Sequence, residues 1–202
     1  MSESVWLVIL AAGQSKRMGS PKQLLPIQGE SLIRYVTKKA LSVEGIHVAV
    51  VGPEGPIMKQ QCADLPIAWI ENKQADRGMS SSIHAGVEHA VACRARAVII
   101  VLGDQPDLDP RVITQMVAAY LHTPSAILQA RYEGQPGHPV LFDKALFADL
   151  MQLEGDSGAR LLIRENSSSV QYVEVSSAVP LDLDTPLEYE EYLRSIDVRS
   201  AD

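Results

Sequence analysis

The chain has no apolar run of about 18 residues, so no membrane-spanning helix is expected. Its first residues, Met1-Ser2-Glu3-Ser4, lack the basic start of a secretory leader and lead straight into a strand. Cysteine is scarce. Cys62 and Cys93 are the only two, far apart in sequence, which excludes a metal knuckle or a disulfide framework and suggests two buried thiols in a reducing cytoplasm. A surplus of positive charge is missing as well. The net charge of −7 argues against a general nucleic-acid partner. Charges beyond roughly 8 Å are largely screened at physiological salt, so any phosphate recognition must rest on local cations. There is no Walker spacing, no G-x-G-x-x-G dinucleotide fingerprint, no internal repeat and no linker. His84 and His89 are five apart and do not form the i, i+4 pair that shares a helix face.

What is present begins with Leu7 to Leu25, reading LVILAAGQSKRMGSPKQLL. The apolar run Val5–Leu10 suits a buried parallel strand. It breaks into Ala11, Ala12, Gly13, Gln14 and Ser15. Gly13 and Gly19 then bracket Lys16 and Arg17, and Lys22 follows a proline. Small residues let backbone amides approach an anion. Arg17 offers a planar fork to phosphate oxygens and Lys22 a point charge. The carboxyl end of a strand is where open α/β sheets bind ligands.

Further strands are expected at 46–51, 67–70, 97–102, 126–130, 137–142 and 170–175, with helices between them. Regular alternation of strands and helices predicts one three-layer α/β/α Rossmann-like domain with a mostly parallel sheet, over 1–202. From about 195 the tail is polar and expected to fray. Ser31 is a candidate cap for the first helix, and Asp109-Pro110 reads as a cap and first helical residue. Gly78-Met79-Ser80-Ser81-Ser82 opens a helix, and its hydroxyls and free N–H groups could contact a base, a ribose or a phosphate, or serve only as a cap. Asp104 follows the strand 97–102 in Gly103-Asp104-Gln105-Pro106, placed to hold a cation over phosphates or to shape a turn. His138 lies between Gly137 and Pro139 at a strand entrance. Asp156 or Ser157 is a candidate cap for a helix whose first turn carries Arg160, which would make an anion site. Asp182 and Asp184 alternate on an extended segment and so face one side.

Leu10-Ala-Ala-Gly13-x-Ser15-x-Arg17-Met-Gly19-x-x-Lys22-x-Leu-Leu25 resembles the signature of MobA-like nucleotidyltransferases, and more narrowly of molybdenum cofactor cytidylyltransferases. Gly78–Ser82, Gly103–Pro106, Gly137–Pro139, Gly155–Arg160 and Asp182–Pro186 extend the likeness along nearly the whole chain. The resemblance implies transfer of CMP from CTP to the terminal phosphate of molybdopterin or Mo-molybdopterin, releasing pyrophosphate. It implies Mg²⁺ on Asp104 and on Asp184 or Asp182. The nucleotide would lie along Leu10, Ala11, Ala12, Gly13, Lys22, Gly78, Ser80, Ser81, Ser82 and Asp104, with Arg17, Lys22 and Asp104 catalytic. Gln105, Pro106, His138, Asp156 and Arg160 would face the acceptor. A molybdenum hydroxylase would receive the product. Related guanylyltransferases carry glycine where this chain has Ala12, so Ala12 is expected to favour a pyrimidine. The alternatives are another NTP or acceptor (guanylyl transfer, methylerythritol phosphate, a sugar phosphate) or a cofactor-delivering chaperone without turnover. A nicotinamide oxidoreductase is disfavoured by the missing fingerprint.

Overall fold

The computed structural model describes residues 4–13, 15 and 18–199. β1 (Val5–Leu10) is the axis of a seven-stranded sheet. A small antiparallel pair, β2 (Pro26–Ile27) and β3 (Glu30–Ser31), leads into α1 (Leu32–Leu41). β4 (Ile46–Pro53), α2 (Pro56–Gln61), β5 (Ala68–Asn72), α3 (Met79–Ala92), β6 (Ala97–Leu102) and α4 (Pro110–His122) follow. The chain closes with β7 (Ile127–Tyr132), β8 (Gln135–Asp143), α5 (Phe147–Leu150), α6 (Arg160–Glu165), β9 (Val170–Val175) and α7 (Pro186–Arg199).

The strand order is β5-β4-β1-β6-β8-β7-β9. β1 pairs parallel with β4 and β6, and β7 with β9; β8 runs antiparallel to both β6 and β7. β8 is therefore the one reversed strand. A two-residue turn turns it back, with Glu133 and Gly134 both at positive φ, as tight hairpins need. The sequence places this strand at 137–142; the turn before it takes only residues 133 and 134, and the strand starts earlier, at Gln135.

Alternation along β1 sorts its side chains into two cores. Val5, Leu7 and Ile9 join α1, α4 and α7 on one face, through Leu32, Ile113 and Tyr192. Val8 joins α3, α5 and α6 on the other, through Val87, Phe147 and Leu162. This is a three-layer α/β/α Rossmann-like fold with a mixed, mostly parallel sheet. α3 lies directly on β1, because Gly86 permits it: a Cβ there would sit 2.5 Å from Val8 Cγ1.

Three local expectations change. α7 runs on to Arg199, and Ile196 is buried in the first core, so the ordered helix covers much of the stretch expected to fray. Ser31 stands at the N-cap of α1 without a side-chain cap bond. Cys62 is buried, whereas Cys93 is exposed, at the end of α3. Asp109 does cap α4, accepting from Arg111 N at 2.9 Å, with Pro110 as first helical residue. Among the described residues no helix is long and apolar enough to cross a membrane.

Candidate active site

β1 has β4 on one side and β6 on the other, so chain crossovers leave it in both directions. The crevice outside the carboxyl ends of such strands is the ligand position in open α/β sheets. Ala11 N donates to Val51 O at 2.8 Å and Gly103 N to Leu10 O at 2.9 Å, which pins the loops after β1 and β6 side by side. The loop after β1 is braced internally. Ser15 Oγ accepts from Lys22 N at 3.0 Å and donates to Gln23 Oε1 at 3.3 Å, and Gln23 Nε2 donates to Gly13 O at 3.4 Å. Arg17 lies outside the described residues.

Lys22 opens a short 3-10 turn and is buried. Its ammonium donates to Asp104, from the loop after β6, and to Asp184 Oδ1 at 2.7 Å, from the segment before α7. Burial works against this cation, but the Asp104 and Asp184 carboxylates outweigh it and raise its pKa above the usual lysine value. Asp104 Oδ1 is buried and has no hydrogen-bond partner among the described residues. Asp182 accepts from Gln105 Nε2 at 2.8 Å. Burial raises its pKa, against the Gln105 bond, and the nearby charges of Asp104 and Asp184 add to the rise.

Asp184 is held by a capping box. Thr185 Oγ1 accepts from Glu188 N at 3.3 Å, while Glu188 Oε2 accepts from Thr185 N at 2.8 Å and Asp184 N at 3.0 Å. Thr185 also donates its hydroxyl to Glu188; that bond above all, with the two N–H donors, holds the Glu188 carboxyl below its usual pKa. The sequence reading passed over Glu188, although Thr-Pro-Leu-Glu is the sequence signature of that box.

The start of α3 is built differently from the sequence reading. Its cap position is Gly78, at φ +93°. The cap bond comes from a distant loop: Met79 N donates to Asp156 Oδ1 at 3.2 Å and Ser80 N to Gly155 O at 3.1 Å. Gly78 must be bare as well as left-handed, since a Cβ would lie 2.6 Å from Asp156 Oδ1 and Gly155 C. Asp156 thus caps α3, and α6, which starts at Arg160, has no side-chain cap. Asn72 Nδ2 donates to Ser81 Oγ at 2.9 Å and Ser82 Oγ at 3.0 Å, so a buried asparagine orders two of the three serines.

A cavity of about 470 Å³ collects most of the expected residues: Leu10, Ala12, Gly13, Lys22, Gly78, Ser82, Asp104, Asp156, Arg160 and Asp184. Ser15, Gln23, Asp76, Met79 and Asp182 line it too. Ser80 and Ser81 line a separate cavity of about 320 Å³ with Arg77, His84 and Glu154. Ala11 is buried in the first core. Gln105 and Pro106 are buried; Gln105 holds Asp182, and the Pro106 carbonyl accepts from Lys39 Nζ at 2.7 Å. His138 is half-buried, with Nδ1 3.3 Å from Ile100 O, and burial lowers its pKa. These six residues therefore do not meet in the cavity that holds the others.

Among the described residues no group of three or more His, Cys, Asp and Glu side chains is arranged to hold a metal. The donors that are present suit Mg²⁺ bound with a nucleotide, which takes one or two carboxylates and completes its shell with phosphate oxygens and water. Asp104 and Asp184 converge on one cation, Lys22, and Asp104 Oδ1 remains without a partner among the described residues.

Residues 7–171 match the MobA-like NTP transferase domain, and the chain belongs to that family. Its class is accordingly nucleotidyltransferase, a class built on positioned phosphates. Similar proteins are Purine catabolism protein PucB of Bacillus subtilis (30% identical, 94% of this chain and 96% of PucB) and Nicotine blue oxidoreductase of Paenarthrobacter nicotinovorans (31%, 88% and 91%). Molybdenum cofactor cytidylyltransferase of Escherichia coli is 30% identical over 89% of this chain and 90% of its own. Among solved structures, the Rv0371c homolog from Mycobacterium sp. strain JC1 superposes with TM-score 0.84 at 30% identity, covering 96% of this chain and 97% of that one. Mycobacterium tuberculosis Rv0371c in complex with manganese does so with TM-score 0.78 at 26% identity, covering 95% and 99%. Three relatives of equal similarity bear three different names, so membership alone defines the class and leaves the acceptor open.

Proposed function

We propose that this protein transfers CMP from CTP to the terminal phosphate of molybdopterin or Mo-molybdopterin. The observation that carries the reading is the convergence of Ala12, Gly13, Lys22, Asp104 and Asp184 on one cavity. An acceptor phosphate oxygen attacks the α-phosphorus of CTP, the bond from that phosphorus to the bridging oxygen breaks, and pyrophosphate leaves with the electron pair. The acceptor phosphate is already ionised at neutral pH, so no protein base is needed. Positioning and charge stabilisation carry the reaction. Asp104 and Asp184 would hold Mg²⁺, which would neutralise charge on the triphosphate. Manganese in a relative's structure supports a divalent ion here. Lys22 pairs with phosphate oxygens, and the braced Gly13 loop fixes the triphosphate's position.

Pyrophosphate release is the test, measured with each of four NTPs, with and without molybdopterin and Mg²⁺. Release that requires CTP, acceptor and metal together is the expected result. Release with another NTP or acceptor corrects the substrate; none with any of them favours a cofactor-delivering chaperone.

Base choice gives a finer test. Ala12 lines the cavity, and on this reading its methyl would fill the space that a purine's second ring needs. Ala12→Gly should raise kcat/KM for GTP by roughly 5- to 150-fold, the effect of about 1–3 kcal/mol, without reversing the preference for CTP. Equal kcat/KM for CTP and GTP in the wild type would sink the cytidylyl assignment.

A second reading rests on the relatives themselves. One as similar as the cytidylyltransferase is named an oxidoreductase, so an electron-accepting dye together with a reduced nicotinamide as electron donor belongs beside the four NTPs in the screen.

A further inference from the structure

We propose that Lys22 is a built-in counter-ion that reserves the Asp104–Asp184 pair, so that divalent cation and nucleoside triphosphate load together rather than one at a time. The inference rests on the reading of Asp104 and Asp184 as metal ligands. Three observations carry it. The Lys22 ammonium donates to both carboxylates at once, although Asp104 and Asp184 come from loops 80 residues apart. It is buried, so the pair is screened from water and from solution ions far better than a surface pair. And Asp104 Oδ1 is buried with no partner among the described residues, so the lysine leaves one acceptor of its own carboxylate unsatisfied. A buried acceptor without a partner is costly, and it persists where binding supplies the missing partner.

A divalent ion approaching the same oxygens meets the ammonium as a like charge in a poorly screened place. Without a triphosphate, the anionic side chains lining the cavity are all carboxylates, Asp182 among them, and Lys22 has no phosphate acceptor to move to. With a triphosphate in the cavity it has one. Gly13 and Lys22 line the same space, so the ammonium can leave the carboxylates for phosphate oxygens without leaving the cavity. The lysine suits this exchange because its charge is compact and sits on a flexible stem, whereas an arginine fork would stay in its planar pairing. The backbone stays put: Ser15 Oγ holds Lys22 N at 3.0 Å, so only the side chain needs to swing. The arrangement makes the metal site dependent on nucleotide and keeps the empty protein from trapping divalent ions.

The test uses Mn²⁺ alone as probe, on the full chain without nucleotide, with free Mn²⁺ counted by its paramagnetic resonance signal. Wild type should bind Mn²⁺ weakly. Lys22→Met should bind it at least about tenfold more tightly, and the double variant Lys22→Met/Asp104→Asn should return to weak binding. The melting temperature of Lys22→Met should rise with Mn²⁺ while that of wild type stays flat. If Lys22→Met does not fold, Lys22→Gln is measured the same way, since it also removes the charge. Equal Mn²⁺ affinity in the charge-removed variant and wild type overturns the exchange; if Mn²⁺ still supports turnover of the wild type with CTP, the metal assignment stands without it. If Mn²⁺ neither binds nor supports turnover under any of these conditions, the metal assignment falls and the exchange with it.

Discussion

Two ion pairs in this molecule invite comparison. Arg34 and Asp64 join α1 to the segment after α2 with a bidentate fork, at 2.6 and 2.9 Å. Lys22 joins two loops to the β1 loop with a point charge between two carboxylates. The arginine pair has the better geometry, and its hydrogen bonds pull the Asp64 carboxyl from 3.8 to about 2. Yet Asp64 is two-thirds exposed, and such pairs contribute little because solvent already satisfies both partners. The lysine cluster has poorer geometry and far less water. Removing one member there leaves charges that water reaches less well than at Asp64. Burial, and not the quality of the bond, decides which pair matters.

The largest break in that comparison is Asp104→Asn. An amide is a poor Mg²⁺ ligand, so metal-dependent turnover should vanish, and a titration of rate against Mg²⁺ reads it. A normal rate with an unchanged metal requirement would move the metal site elsewhere. Lys22→Ala comes next. It should lower kcat by roughly 10²–10³, the scale for one preorganised charge donor, with the fold kept. Near wild-type rates at saturating CTP would remove Lys22 from the site.

Glu188→Ala sharpens the comparison by loosening one carboxylate without touching its charge. Asp184 loses the acceptor that holds its N–H, so kcat should fall by roughly tenfold through misplacement. Glu188→Gln keeps an acceptor oxygen and should recover most of the loss; failure of that rescue would deny Glu188 its positioning role. Arg34→Ala is the smallest case. Turnover should not change, and the loss in thermal stability should be slight. The Asp64 carboxyl is depressed on folding, so its contribution is present above 3.8 and lost as pH falls through about 2. The gap in melting temperature between variant and wild type should therefore close across that window, and a gap independent of pH would assign it to lost packing.

Local signals in the sequence determined much of this protein. Continuous apolar runs marked β1, β4 and β6 as buried parallel strands, because a strand covered on both faces has no reason to alternate. Asp109-Pro110 marked the start of α4, because cap and first-turn chemistry is local. Asp182 and Asp184 both line the cavity as the alternation predicts, with Leu183 between them in the core, although Asp184 N bonds back to Asp182 O at 3.1 Å in a tight turn. What tertiary structure decided were the partnerships across sequence distance. Nothing near Gly78 announces that Asp156 and Gly155 will close the start of α3, and nothing near Ser81 announces Asn72. The sequence placed Ser80, Ser81 and Ser82 together, but successive helical residues point about 100° apart, so Ser82 reaches the larger cavity and its two neighbours line another. Lys22, Asp104 and Asp184 each read locally as a loop charge. Their meeting over one buried ammonium follows from a strand order that sets the ends of β1 and β6 side by side, and from α7, whose packing in the first core brings the segment before it to the same spot.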